Sequence, residues 1–153
     1  MILSLSIRDF VLIDRLDIEP GQGFTALTGE TGAGKSIILD ALSLALGHAA
    51  DRAMIRAGQE QASVAVEFSP PVHHPVWAAL TEAGVEAAQD ETLTLKRLIR
   101  ANGPARAFVN DQTTSHWPIR FDADAPRATP LRSASELSPI RRWLIGYRDD
   151  DEL

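Results

Sequence analysis

The stretch TGETGAGKSIILDAL, residues 28–42, governs the interpretation of this sequence. Its glycines stand at fixed offsets, and a lysine and a serine follow the last of them. Beyond the serine the sequence changes to apolar residues at helical spacing, with Ile38, Leu42 and Ala45 on one face and Leu39, Ala41 and Leu46 widening it. The pattern predicts a loop that turns directly into a helix over residues 35–46.

The loop fits the phosphate-binding pattern G-x-x-x-x-G-K-[ST] at every fixed position. Glycines let the main chain approach a phosphate closely, so that successive N–H groups form an anion-binding nest. The positive end of the following helix adds to this field. A lysine at this position reaches the β- and γ-phosphates, and the hydroxyl after it binds magnesium. The predicted ATP-binding residues are Gly29, Glu30, Thr31, Gly32, Ala33, Gly34, Lys35 and Ser36, and Ser36 is also the predicted Mg²⁺ ligand.

The further groups that ATP hydrolysis needs are harder to find in this sequence. Hydrolysis requires an acidic residue on the metal, at the end of an apolar strand, and a group that positions the attacking water. The nearest match, AFVND, has Asn110 between the apolar run and Asp111, and no Ser-Gly-Gly signature loop occurs. We therefore expect nucleotide binding with little or no hydrolysis by this chain alone, and we assign no catalytic residue.

Composition places the chain among ordinary globular domains. It has 153 residues, of which 44% are hydrophobic and 24% charged, with a net charge of −6 and no cysteine. The charge argues against a broadly basic nucleic-acid coat, and the lack of cysteine excludes disulfides and thiolate sites. No window approaches the roughly 18 apolar residues of a membrane helix, and the N-terminus lacks a secretory pattern. We expect a cytoplasmic protein without membrane contact.

Alternating apolar and polar residues predict strands on both sides of the helix. They lie near residues 3–7, 16–18, 24–27, 62–68, 91–100 and 106–110, and the third of them is expected to be the more buried. ANGPA joins the last two into a hairpin, and a short helix is predicted within residues 73–84. After residue 112 the sequence has four prolines and no sustained period, so residues 113–153 are predicted to be a poorly ordered tail.

Three stretches together resemble the start of the RecN family, a group of SMC-like ABC ATPases of bacterial DNA repair. They are LSLSIRDFVLIDRLDIEPGQGFTALTGETGAGKSIILDALSLALG, DRAMIRAGQEQASVAVEF and LKRLIRANGPARAFVN, and they fall within residues 1–112. The resemblance implies an α/β P-loop NTPase fold: the N-terminal lobe of an ABC-type ATPase head, with a mixed sheet and a helix after the phosphate loop. It also implies ATP and Mg²⁺ as cofactors, DNA as a partner in recombinational repair of double-strand breaks, and a nucleoid-associated location.

In that family a C-terminal half carrying the signature loop and the acidic strand completes the head. This sequence contains neither feature. The resemblance therefore implies, as a further partner, the C-terminal half of a head or a second copy of the chain. We expect residues 1–112 to form the lobe of a truncated head and residues 113–153 to be an unrelated or out-of-frame extension.

Basic residues outside the loop provide the remaining candidates. By resemblance, Arg56 in DRAMIRAG is a candidate nucleotide or DNA contact, and an ordinary solvated arginine is the alternative. Lys96, Arg97, Arg100 and Arg106 cluster on the predicted hairpin, as candidate contacts for DNA phosphates or as a common charged face.

Two other interpretations of the chain stay open. A small P-loop kinase would need a lid with phosphate-clamping arginines and an acceptor pocket. A non-functional truncated remnant would leave an apolar sheet edge uncovered.

Overall fold

The structure, a computed structural model, describes residues 2–21, 25–26 and 33–114. Within them the chain forms six strands, two α-helices and one 3-10 turn (Arg52–Met54). The strands are β1 (Ile2–Phe10), β2 (Ile13–Ile18), β3 (Gln61–Phe68), β4 (Leu93–Arg100), β5 (Arg106–Val109) and β6 (Gln112–Thr114). The helices are α1 (Ala33–Ala45) and α2 (Val76–Glu82).

The strands form one sheet in the order β2-β1-β3-β4-β5-β6. All five pairs of neighbouring strands in this sheet are antiparallel. β1 and β3 are neighbours in the sheet but are separated in sequence by β2 and α1, and α2 connects β3 to β4. The other connections are hairpins, so the hairpin predicted around ANGPA is present as β4 and β5.

One predicted strand is wrong at the two of its residues that the structure describes. Thr25 and Ala26 lie within the strand predicted over residues 24–27, but both are exposed and neither belongs to a strand. A short run of apolar and β-branched residues carries no information about a pairing partner, and the run next to a glycine is equally compatible with irregular backbone. The other two residues of that prediction lie outside the described residues.

The sixth strand extends the sheet past the residues that the alternation predicted. Asn110 and Asp111 have positive φ values of 46° and 63°, the left-handed pair that a two-residue hairpin turn requires. The Gln112 amide then binds the main chain of Glu86, accepting from its N–H at 3.1 Å and donating to its carbonyl. β6 includes Thr113 and Thr114, two residues beyond the lobe boundary at 112, and residues 115–153 lie outside the described part.

The two faces of the sheet differ in composition. The face that we call the core face carries buried apolar side chains from alternate positions, including Val64 and Val66 of β3 and Leu93 and Leu95 of β4. The opposite face, here the outer face, carries mostly serine, threonine and charged residues from the intervening positions. This division follows from the period of two along each strand.

Both helices contribute to the core beside the sheet. Ile37, Ala41, Leu44 and Ala45 are the buried residues of α1, and this helix contacts β1, β3 and β4. Trp77 of α2 is buried in the same cluster, with its indole N–H donating to the Pro71 carbonyl at 2.8 Å. The fold therefore fixes α1 on the core face over the centre of the sheet.

The predicted apolar stripe of α1 is confirmed in part. Ala41, Ala45 and Leu46 are buried as predicted, whereas Ile38 and Leu42 are only partly buried and Leu39 is 54% exposed. The apolar residues of this helix cover most of its circumference, so their spacing alone did not determine which side contacts the sheet.

Candidate functional site

The phosphate-binding motif runs into the first turn of α1. The helix begins at Ala33, so Gly34, Lys35 and Ser36 are its next three residues. The Lys35 side chain is half-buried, and Ser36 is exposed. The first turn contains no acidic side chain, so no carboxylate within it opposes the positive end of the helix dipole.

Gly34 lies in the first turn of α1 beside open space. Its backbone is helical, so the backbone angles at this position do not require a glycine. A Cβ placed on Gly34 would meet no described atom within 4 Å, which leaves open space beside the main chain. The arrangement permits a ligand to approach the helix terminus closely.

The structure describes three of the eight predicted ATP-binding residues completely. Gly29, Glu30, Thr31 and Gly32 lie outside the described residues, and only the backbone of Ala33 is described. The described part brings Lys35 and Ser36 together on one helical turn, at the end of a helix whose other turns are anchored in the core.

Arg56 is anchored at the turn between β1 and β2. Its Nη1 lies 3.5 Å from Asp9 Oδ1 and 3.4 Å from Asp14 Oδ1, and its main-chain N–H donates to the Asp9 carbonyl at 2.8 Å. Val11 N–H donates to the Met54 carbonyl at 2.8 Å, which ties the loop to the same turn. The structure thus gives Arg56 acidic partners, and the sequence offered no signal for them because they lie 42 and 47 residues away.

The acidic residues of the described part do not form a metal centre. Asp111, the weak candidate for a second metal ligand, is exposed in the turn between β5 and β6. No group of three His, Cys, Asp or Glu side chains is placed to hold a metal ion in the described ranges. His74 lies just before α2, where its Nδ1 accepts from the Val76 N–H at 3.1 Å.

The four basic residues of the β4–β5 hairpin divide between the two faces of the sheet. Arg97 lies on the core face, where its strand neighbours are the buried Val64 and Ala107, and burial lowers the pKa of its guanidinium. Lys96, Arg100 and Arg106 lie on the outer face. The predicted cluster is therefore a group of three, because alternation along β4 sends Arg97 to the other side.

No helix of the described residues is long and apolar enough to span a lipid bilayer.

Comparison with known proteins identifies the family. The AAA domain family matches residues 4–116, about three quarters of the chain. The DNA repair protein RecN of Xylella fastidiosa strain 9a5c is 41% identical over 112 residues, covering 72% of this chain and 19% of the relative. RecN of Haemophilus influenzae is 35% identical over 146 residues, covering 95% of this chain and 23% of the relative. The chain thus spans about one fifth of the length of these relatives, and the second match extends into the segment predicted to be an unrelated tail.

Solved structures agree on the fold. The SMC head domain of Thermotoga maritima gives a TM-score of 0.55 at 22% identity, covering 74% of this chain and 38% of the other. The recombination mediator protein RecF with ATP gives a TM-score of 0.55 at 15% identity, covering 75% of this chain and 28% of the other. These likenesses confirm the expected ATPase-head architecture. The chain therefore belongs to the AAA domain family, has the fold of SMC and RecF ATPase heads, and is similar to the N-terminal part of the DNA repair protein RecN.

Proposed function

We propose that this chain binds Mg-ATP through residues 29–36 and contributes the nucleotide-binding lobe of a RecN-like protein. The observation that carries the proposal is the position of Gly34, Lys35 and Ser36 in the first turn of α1. A phosphate at that end meets main-chain N–H groups that have no partner within the helix, and it also meets the positive end of the helix dipole. The family fold supports nucleotide and metal use in general, and the similar RecF structure is that of RecF with ATP.

Each side chain of the first turn has a distinct role in this proposal. Lys35 supplies a positive charge to the β- and γ-phosphates, and its half-buried position limits screening by solvent. Ser36 supplies one hydroxyl ligand to Mg²⁺, which retains several waters and binds phosphate oxygens. The exposed Ser36 hydroxyl and the absence of a carboxylate from this turn fit a metal held mainly by the nucleotide and water.

Hydrolysis requires groups from another polypeptide segment in this proposal. The sequence contains neither a signature loop nor an apolar strand that ends directly in an acidic residue, as the family's C-terminal half would. A separate C-terminal half or a second copy of the chain would supply them. We expect this chain alone to show little turnover. An ordinary ATPase rate that Lys35→Ala abolishes would contradict this part of the proposal.

The relatives support a proposal for the biological role. They are named as DNA repair proteins. We propose that this chain also acts in DNA repair, in the recombinational repair of double-strand breaks, with DNA as its partner. Such a role places it in the bacterial cytoplasm, at the nucleoid.

Equilibrium binding of a fluorescent ATP analogue to the purified chain, with and without Mg²⁺, tests the proposal. Lys35→Ala should weaken binding at least tenfold, because it removes the charge that faces the phosphates. Ser36→Ala should reduce chiefly the increase in affinity that Mg²⁺ produces. Lys96→Ala is the matched control: it makes the same change at the only other lysine, on the opposite face of the sheet, and should leave affinity unchanged. A folded chain that binds no nucleotide at millimolar concentration would refute the proposal.

A further inference from the structure

The outer face of the sheet carries an excess of positive charge that the chain as a whole does not have. Its basic residues are Arg8, Arg15, Lys96, Arg100 and Arg106, and its acidic residues are Asp17 and Glu67. The whole chain, in contrast, has a net charge of −6. Positive charge is therefore concentrated on one surface of an acidic protein.

The β1–β2 end of this face neutralises much of its own charge. Asp17 lies 2.7 Å from Arg8 Nη2 and 3.1 Å from Arg15 Nε, and it accepts from the Ser6 hydroxyl at 2.8 Å. The Arg8 hydrogen bond is the main reason why the pKa of Asp17 falls to about 2. This carboxylate is ionised at neutral pH, so the two arginines already have an anionic partner.

At the β4–β5 end no described carboxylate is paired in this way, although Glu67 of β3 is a diagonal neighbour of Lys96. Arg106 of β5 lies opposite Leu98 of β4. Lys96 and Arg100, two residues to either side of Leu98, are therefore the diagonal neighbours of Arg106, each roughly 7–8 Å away. Within the described residues no carboxylate forms an ion pair with any of the three. Lys96 Nζ lies instead 5.9 Å from the centre of the Phe108 ring. We call Lys96, Arg100 and Arg106 the basic triad.

The surroundings of the basic triad match a phosphate backbone in chemistry and in scale. The outer face beside it carries Ser63 and Thr94 on neighbouring strands, and hydroxyls are common donors to phosphate oxygens. Lys96 and Arg100 are four residues apart on one strand, which corresponds to roughly 13 Å. One strand of B-DNA presents about four phosphates over that length, at 3.4 Å of rise each.

Duplex DNA fits this surface better than a single strand does. Single-strand platforms depend on several aromatic side chains that stack with successive bases. Among the described residues Phe108 is the only aromatic side chain on the outer face, because Phe10, Phe68 and Trp77 are buried in the core. A surface with concentrated charge and one half-covered ring favours contact with backbone phosphates over reading of bases.

We infer that the basic triad on the outer face of the sheet is a docking surface for the sugar–phosphate backbone of duplex DNA. The inference rests on the proposed DNA-repair role and adds the surface through which this lobe meets its partner. It places DNA on the face opposite α1, so that nucleotide and DNA occupy opposite sides of one sheet.

Fluorescence anisotropy with a labelled 24-bp duplex of random sequence tests the inference on the full chain. Titrations between 50 and 200 mM salt give the slope of log affinity against log salt. Three phosphate contacts predict a slope of about −2.7, and Arg100→Ala or Arg106→Ala should each reduce its magnitude by about 0.9. Each variant should also weaken binding several-fold at 50 mM salt, whereas the double variant Arg100→Lys/Arg106→Lys should retain most of the affinity.

Arg52→Ala is the matched control, because it removes one exposed arginine with the same change in net charge away from the outer face. It should leave affinity and slope within error. An equal loss in Arg52→Ala, unchanged binding in Arg100→Ala and Arg106→Ala, or a tenfold preference for a 24-nucleotide single strand would each overturn the inference. Lys35→Ala should bind duplex normally, and Arg106→Ala should bind the ATP analogue normally, so failure of one proposal is distinguishable from failure of the other.

Discussion

The substitution Val66→Ala tests whether the described lobe has a cooperative core of its own. Val66 lies in β3, near the middle of the sheet, and its side chain is 0% exposed. Its strand neighbours on the core face are Leu5 of β1 and Leu95 of β4, which are 6% and 0% exposed. The lost methyl groups therefore leave a space bounded by neighbours that are themselves held in the sheet.

The magnitude follows from the chemistry of the change. Each buried methyl group contributes about 0.8 kcal/mol, so removing two costs about 1.6 kcal/mol. Incomplete relaxation around the cavity raises the cost to about 2–3 kcal/mol. For a folded region of about 100 residues this loss corresponds to a decrease in melting temperature of roughly 10–20 °C.

Thermal and urea unfolding followed by far-UV circular dichroism measures the effect. The control is Val72→Ala, the same chemical change at a valine that is 49% exposed, and we expect it to stay within about 0.5 kcal/mol of the parent chain. Equal effects of the two substitutions would refute the assigned core. A parent chain without any cooperative transition would instead favour the interpretation of a remnant that does not fold.

Two further predictions concern groups held by specific contacts. Burial lowers the pKa of His74, whose Nδ1 must be unprotonated to accept from the Val76 N–H. The unfolded chain therefore binds the proton more readily, so this contribution to stability is complete above about pH 6.5 and is lost as pH falls toward the lower folded-state pKa. Melting curves from pH 8 to pH 5 should show a loss that His74→Ala reduces and His73→Ala does not. For Arg56, a double-mutant cycle with Asp14 should give a coupling of about 0.2–1 kcal/mol, because both side chains are partly exposed. An Arg56→Ala variant that lost ATP affinity while Asp14→Ala kept it would point instead to a direct role at the nucleotide.

Local pattern predicted the elements better than their arrangement. Strands β1, β3 and β4 and both helices could be found from periodicity, because each has one buried side. β6 could not, since Gln112, Thr113 and Thr114 have no apolar alternation and their pairing depends on the left-handed turn before them. The order of the strands was also beyond the sequence, because it depends on contacts between distant segments.

The same limit applies to the candidate sites. The phosphate-binding motif is contiguous, so its position at the start of α1 could be predicted directly. The partners of Arg56 could not be predicted, because Asp9 and Asp14 come next to it only through tertiary packing. Arg97 is adjacent in sequence to Lys96, but strand alternation puts its side chain on the core face, away from the other three basic residues.

The alternation along β4 also determines which changes in chain length this lobe can accept. Inserting a single residue near the start of β4 would rotate every later side chain by half a period, carrying Arg100 toward the interior and Ile99 toward solvent. The connection at residues 101–105 has no such constraint, because its residues are mostly exposed and Gly103 already has a φ of 130°. Natural length variation among relatives should accordingly concentrate in that connection and be absent from the eight residues before it.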